Sequence, residues 1–277
     1  MSTLYLVATP IGNLEDISAR ALRILREVTL IAAEDTRHTR KLLSHYDIHT
    51  SLTSYYEHNK RQKLDQVLEK LAVGDVALVS DAGTPALNDP GYLLVRAALD
   101  AGHKVSPIPG ASAPVAALVV SGLPTDRFLY LGYLPRKQSD RKRAVAEVAA
   151  LPYTLIFLES PHRLLDALRD LQAELGERQV AVASELTKLY EETFRGSLSD
   201  ATAYFEQYPA RGEFTLVVEG AAEEVEEWSA AELEKLLRKR LEGGDPLSTI
   251  AKDVAAQTGW RRREIYQKLT ELQSEEE

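Results

Sequence analysis

D-V-A-L-V-S-D-A-G-T-P-A-L-N-D-P-G, from Asp75 to Gly91, and V-S-P-I-P-G-A-S-A, from Val105 to Ala113, are the two stretches that decide how this chain folds. Two short β-branched runs, Val76 to Val79 and Val105 to Ile108, each stop in a cluster of Gly, Pro, Ser, Thr and Asp that leads into a helical pattern. Strands that end this way belong to parallel sheets, and ligands collect at the carboxyl ends of such strands. Gly83 and Gly110 permit tight turns and close backbone approach, while Pro85, Pro90, Pro107 and Pro109 stiffen the loops. Two pocket-forming loops from neighbouring βα units are expected; the alternative is a pair of ordinary turns.

No G-x-x-x-x-G-K-[ST] occurs, and the loop after the first strand, A-T-P-I-G-N-L-E-D, is not G-x-G-x-x-G. This argues against a P-loop enzyme or an ordinary dinucleotide-binding domain.

Working outward, Leu4 to Ala8 reads as a buried strand, and Ser18 as the N-cap of a helix with an apolar period of 3.6 through Val28. Leu30 to Ala33 is a second strand ending in Glu34-Asp35-Thr36-Arg37, which is either a polar site or a helix cap with a surface ion pair. Ser51 to Tyr55 is extended, and Arg61 to Val73 carries the Leu64, Val67, Leu68, Leu71 stripe of a packed helix. This alternation predicts a mainly parallel sheet covered on both faces. A junction near Phe128 to Gly132 opens a second series: strands at Tyr153 to Leu158, Gln179 to Ser184, Glu192 to Gly196 and Phe214 to Glu219. Strands that follow one another without a helix between them predict antiparallel pairs and a mixed sheet. The expected organisation is therefore α/β, with domains at 1–124 and 125–222 facing each other across a cleft, and a helical appendage resembling a helix-turn-helix at 223–277.

At 277 residues and 44% hydrophobic content the chain is long enough for that arrangement. The net charge of −9 restricts any nucleic-acid contact to local patches. One such patch is Arg136, Lys137, Arg141, Lys142 and Arg143; another is Arg261, Arg262 and Arg263, which open the second helix of the appendage. Each is read either as a phosphate contact or as a solvated helix face. The absence of cysteine excludes disulfides and thiolate chemistry, and the six histidines lack metal-binding spacing, so no metal is expected. No apolar run approaches the ~20 residues that span a bilayer, and no leader is evident, so a cytoplasmic protein is expected.

Nine ordered blocks then support a resemblance: V-A-T-P-I-G-N-L-E-D-I, A-E-D-T-R, S-Y-Y-E-H-N, V-S-D-A-G-T-P-A-L-N-D-P-G, P-I-P-G-A-S-A, F-L-Y-L-G-Y-L-P-R, E-S-P-H-R, S-E-L-T-K-L-Y-E-E and G-E-F-T-L-V-V-E-G. Together they resemble the ribosomal RNA small-subunit methyltransferase I family, a branch of the tetrapyrrole-methylase-like (class III) enzymes that use S-adenosylmethionine. One mild departure is Asn88, where serine is more usual. The resemblance implies methyl transfer to the ribose 2′-hydroxyl of a cytidine in the decoding region of 16S ribosomal RNA, naked or in the assembled small subunit, by a homodimer. It further implies cofactor contacts at Pro10, at Asp81, Gly83, Thr84 and Pro85, at Ala111, Ser112 and Ala113, and at Leu131 and Gly132. From the second domain it implies Ser184, Glu185, Glu213 and Phe214.

A sulfonium methyl group is already activated, so in-line orientation is the main requirement, and a base would help a weakly acidic hydroxyl. Strand ends offer Asp35, His58, Glu159, His162 and Glu185. Asp35 is preferred, with Arg37 beside it as a phosphate anchor, followed by His58 and His162. Two other readings stay open: a related methyltransferase acting on a small molecule such as a tetrapyrrole, and a non-catalytic nucleic-acid-binding regulator.

Overall fold

A computed structural model describes residues 2–56, 60–89, 91–208, 212–222, 228–243 and 245–276. Its first sheet is built from β1 (Thr3–Val7), β2 (Leu30–Ala33), β3 (Leu52–Ser54), β4 (Val76–Val79) and β5 (Lys104–Ile108), in the order β3-β2-β4-β1-β5 with every neighbouring pair parallel. Between the strands run α1 (Ala19–Glu27), α2 (Thr36–His45), α3 (Lys60–Val73) and α4 (Tyr92–Asp100), and α5 (Ala113–Ser121) follows β5. The two central strands, L-I-A-A and V-A-L-V, have every residue buried because helices cover both faces. Alternation decides which face each residue serves. Ile31, Ala33, Ala77 and Val79 pack on α1 and α2, whereas Leu30, Ala32, Val76 and Leu78 pack on α3 and α4. Ser18 caps α1 as its sequence suggests, its Oγ accepting from the Ala21 N–H at 3.1 Å.

The second sheet contains β6 (Phe128–Tyr133), β7 (Thr154–Glu159), β8 (Gln179–Ser184), β9 (Glu192–Ser197) and β10 (Phe214–Val218), in the order β6-β7-β10-β8-β9. β6 and β7 are parallel and the other pairs antiparallel, so this sheet is mixed. Its helices are α6 (Gln138–Ala146), α7 (Leu164–Leu175) and α8 (Leu198–Gln207), which close one face around Leu164, Leu168, Leu171, Phe205, Phe157 and Leu216. Each fully buried side chain of this kind contributes roughly 1.5–3 kcal/mol. Ala117 and Leu118 of α5 fill the opposite face against Ile156, Ala181 and Val217. The helix that leaves the first sheet thus serves as a cover for the second, and both sheets belong to one compact unit, Met1–Ala221.

A second unit, Ala222–Glu277, consists of α9 (Ala230–Leu241), α10 (Leu247–Thr258) and α11 (Arg262–Glu276) around Leu233, Leu237, Ile250, Val254, Ile265 and Leu269. Gly259, at φ 72°, takes the left-handed conformation that ends α10 and turns the chain into α11.

Strand order fixes where a ligand can enter the first sheet. The chain leaves β1 toward β2 on one side, and it leaves β4 toward β5 on the other. Their loops diverge, and the crevice between them is the topological switch point.

Candidate active site

The two diverging loops are joined at their base. Thr9 N–H donates to the Gly83 carbonyl at 2.9 Å and Gly83 N–H returns a bond to the Thr9 carbonyl at 3.0 Å, an isolated bridge that requires φ +79° at Gly83. Thr9 Oγ1 donates to the Ser80 carbonyl at 3.1 Å, and Thr84 Oγ1 to the Ala111 carbonyl at 3.3 Å, so the third loop is tied in as well. A Cβ on Gly110 would lie 2.9 Å from the Ala8 Cβ; its close approach is to β1 and not to the cleft.

Above this base opens a cleft of about 860 Å³ between the two sheets. Nine residues expected to contact a cofactor line it: Pro10, Asp81, Gly83, Thr84, Ser112, Ala113, Glu185, Glu213 and Phe214. Five others stand behind the wall. Pro85 is buried under its own loop, Ala111 offers its carbonyl to Thr84, Leu131 packs on the second core, Gly132 is buried in a bulge, and Ser184 Oγ donates to the Glu192 carbonyl of β9 at 3.4 Å.

Two tyrosines in the lining, Tyr130 and Tyr133, owe their placement to that bulge. They sit three apart in the strand, yet they pair with Ile156 and Leu158, which are two apart, because the register shifts between Tyr130 and Gly132. Both rings therefore face the cleft. Gly132 is at φ +67° and packs against the Asn88 side chain, which seats the β4 loop on β6. Asn88 itself is at φ 64°, a conformation Asn tolerates better than most residues.

The lining is acidic: Glu34, Asp81, Asp89, Glu185 and Glu213 carry carboxylates, and Glu185 is paired to Lys188 at 2.8 Å. Asp81 Oδ1 accepts from the Asp35 N–H at 2.9 Å. Burial pushes the Glu34 carboxyl above its ordinary value, and the charge of Asp89 adds to the shift. Asp89 is raised by burial too, with Asp81 and Glu213 acting in the same direction. Burial, helped by Asp89, pushes the Tyr130 phenol up to about 12; Tyr133 is raised by burial and then by the Glu213 carboxylate. No group of side chains suited to a metal ion is found among the described residues.

The catalytic candidates do not all reach the cleft. Asp35 does not line the cleft; its carboxylate caps α2 through the Arg37 N–H at 2.8 Å and pairs with the Arg37 guanidinium at 2.7 Å. Hydrogen bonds from Arg37 hold it at about 2, which makes it a poor base. Of the two readings of E-D-T-R, the cap and surface pair is the one observed. His162 lies exposed in the turn after β7, outside the lining, and Glu159 is fully buried beneath Arg163 at 3.0 Å. His58 is outside the described residues. Among the described residues, the histidine in the wall is His38, on the exposed face of α2.

The basic candidates divide by exposure. Arg141 is corrected: it is 4% exposed and bridges to Asp170 at 2.6 Å, so it cannot meet RNA. Lys142 lies 3.5 Å from Glu174, and Arg143 lies 3.4 Å from Asp140. Arg136 and Lys137 stand exposed before α6, and Arg37 is exposed despite its pairing. Arg261, Arg262 and Arg263 are exposed at the start of α11, with Arg262 also donating to the Ser248 carbonyl at 3.3 Å.

Residues 3–202 match the family model for tetrapyrrole (corrin/porphyrin) methylases. The fold is shared with solved structures of diphthine synthase (17% identity, TM-score 0.61, 79% of this chain and 90% of that one) and of uroporphyrin-III C-methyl transferase from Thermus thermophilus complexed with S-adenyl homocysteine (18%, TM-score 0.55, 78% and 97%). Much nearer in sequence are proteins named ribosomal RNA small subunit methyltransferase I. That of Halalkalibacterium halodurans is 48% identical over 95% of this chain and 93% of its own length. That of Synechocystis is 47% identical over 99% and 100%, and that of Escherichia coli O157:H7 46% over 98% and 95%. Identity of this order along nearly the whole chain shows that it belongs to the ribosomal RNA small subunit methyltransferase I family, within the tetrapyrrole methylases.

Proposed function

We propose that this chain transfers a methyl group from S-adenosylmethionine to the ribose 2′-hydroxyl of a cytidine in the decoding region of small-subunit ribosomal RNA, in the cytoplasm. The observation that carries the reading is the concentration of carboxylates in a cleft of about 860 Å³, with Glu34, Asp81 and Asp89 coming from the first sheet's loops and Glu213 from the second sheet's. The donor is cationic at sulfur and at its amino group, so the donor set fits its charge. When bound, it supplies a methyl group already activated on a sulfonium.

The chain's residues have three tasks in this reading. Asp81, fixed by the Asp35 N–H, and Glu213 hold the cation. Backbone N–H groups at the start of α5, beside Ser112 and Ala113, suit the ligand's carboxylate. The loops joined through Thr9 and Gly83 give the rigid floor on which in-line alignment depends, and alignment alone supplies several kcal/mol, at best roughly 7 to 11. Arg37, Arg136, Lys137, Lys142, Arg143 and Arg261 to Arg263 are the proposed phosphate contacts, with the α/β domains at 1–124 and 125–222 acting around the cleft and the helices of 223–277 as an RNA-binding appendage.

A homodimer is part of the proposal. α5 exposes Val115, Val119 and Val120 at 49%, 66% and 40%, an apolar face suited to a second copy. The test is to incubate the protein with methyl-labelled S-adenosylmethionine and small subunits that lack the modification, then to digest the RNA to nucleosides. Label in 2′-O-methylcytidine is expected; label on a base, or none in RNA, rejects the reading.

A further inference from the structure

We propose that the turn between β8 and β9 is a stacking platform, on which Tyr190 receives a nucleobase of the RNA substrate at the mouth of the cleft. The inference rests on the RNA methyl-transfer reading and names part of its substrate site. Leu189 and Tyr190 are adjacent and are 87% and 79% exposed, two large apolar side chains that the fold leaves in solvent side by side. They are presented by a rigid turn. Glu185 and Thr187 hold φ values of 49° and 65°, and the turn is closed by Lys188 N–H to the Glu185 carbonyl at 3.0 Å, Glu191 N–H to the Lys188 carbonyl at 3.1 Å and Thr187 N–H to Glu191 Oε2 at 2.6 Å.

This turn belongs to the cleft. Glu185, Leu186 and Lys188 line it, and the turn rests on Gly12 of the β1 loop, where a Cβ would come within 2.6 Å of Lys188 Cγ and 2.8 Å of the Leu186 carbonyl oxygen. A nucleotide that leaves the stack of its neighbours to carry its ribose hydroxyl into the cleft loses base stacking. RNA-binding proteins restore that loss by placing an unstacked base on an exposed aromatic ring. Tyr190 is such a ring, two residues along the turn from Lys188, which lines the cleft.

The test uses the full-length protein, with small subunits lacking the modification as substrate. Tyr190→Ala is expected to raise KM for the subunits by about tenfold, the scale of one lost base–aromatic stack, with the dissociation constant for S-adenosylmethionine changed less than about twofold. Tyr190→Phe keeps the ring and is expected to restore KM. An unchanged KM in Tyr190→Ala, a Phe variant as impaired as Ala, or conversion of a dimer to a monomer on gel filtration would each overturn the proposal, the last by showing that the tip meets a second copy of the chain. A wild-type protein that labels no RNA rejects the broader reading instead, so the two failures are distinguishable.

Discussion

Tyr130 and Tyr133 face the same cleft although they are three apart along β6, because the strand gains a residue, the unpaired Leu131, before Gly132 and pairs them with Ile156 and Leu158. A regular strand would send one of the two rings to the other face. Gly132→Ala places a Cβ at φ +67° and against the Asn88 side chain. Strain of this type costs about 1–3 kcal/mol. The variant is expected to unfold at lower denaturant and to bind S-adenosylmethionine at least about tenfold more weakly, as read by calorimetry.

Asp81→Asn removes one negative charge while keeping an oxygen able to accept the Asp35 N–H. Affinity for S-adenosylmethionine is expected to fall by about tenfold, equivalent to ~1.4 kcal/mol. The loss should be smaller for S-adenosylhomocysteine, whose sulfur is uncharged. Equal losses for the two ligands would show that Asp81 does not act through charge on the sulfonium.

The raised carboxyls of Glu34 and Asp89 set a pH dependence. They take up protons before ordinary carboxyls as the pH falls, and a protonated cleft attracts a cation less. Affinity for the donor is therefore expected to decline with falling pH, beginning above the usual carboxylate range, with protons released on binding in that window. In the free protein the sign is opposite. A carboxyl whose pKa rises on folding contributes stability at low pH and loses it as the pH rises through the folded value. Titration calorimetry across this range checks the first trend, and Glu34→Gln is expected to flatten it.

Arg141 and the neighbouring cations separate stability from RNA contact. Arg141→Met leaves Asp170 buried and without its guanidinium partner, and is expected to cost about 3–5 kcal/mol in denaturant unfolding. Arg136→Glu with Lys137→Glu is expected to leave stability nearly unchanged while weakening subunit binding and its salt dependence. If the double variant methylates subunits normally at all salt concentrations, the loop before α6 is only a solvated surface.

The parts legible in the sequence are those that local chemistry decides. Val76 to Val79 and Val105 to Ile108 are strands because β-branched runs end in turn residues, and their loops carry Asp81, Gly83, Thr84, Ser112 and Ala113 into the cleft lining. What escaped depends on partners far along the chain. Arg141 looks like a surface cation until Asp170, 29 residues later, takes its charge inward. The bulge at Gly132 exists only in register with β7, so neither Tyr130 nor Tyr133 announces itself; a glycine inside a strand of aromatics was the one available signal. Asp35 has two readings, and its carboxylate is found capping the α2 N-terminus. His38 and Asp89 reach the wall through helix phase and loop curvature, which residue type alone does not encode.

A crystal structure of the protein soaked with S-adenosylmethionine is the most direct measurement. The donor is expected between the Thr9–Gly83 bridge and Glu213, with its sulfonium nearest Asp81 and its carboxylate at the start of α5. Donor density elsewhere on the molecule, with this cleft holding only solvent, would contradict the assignment.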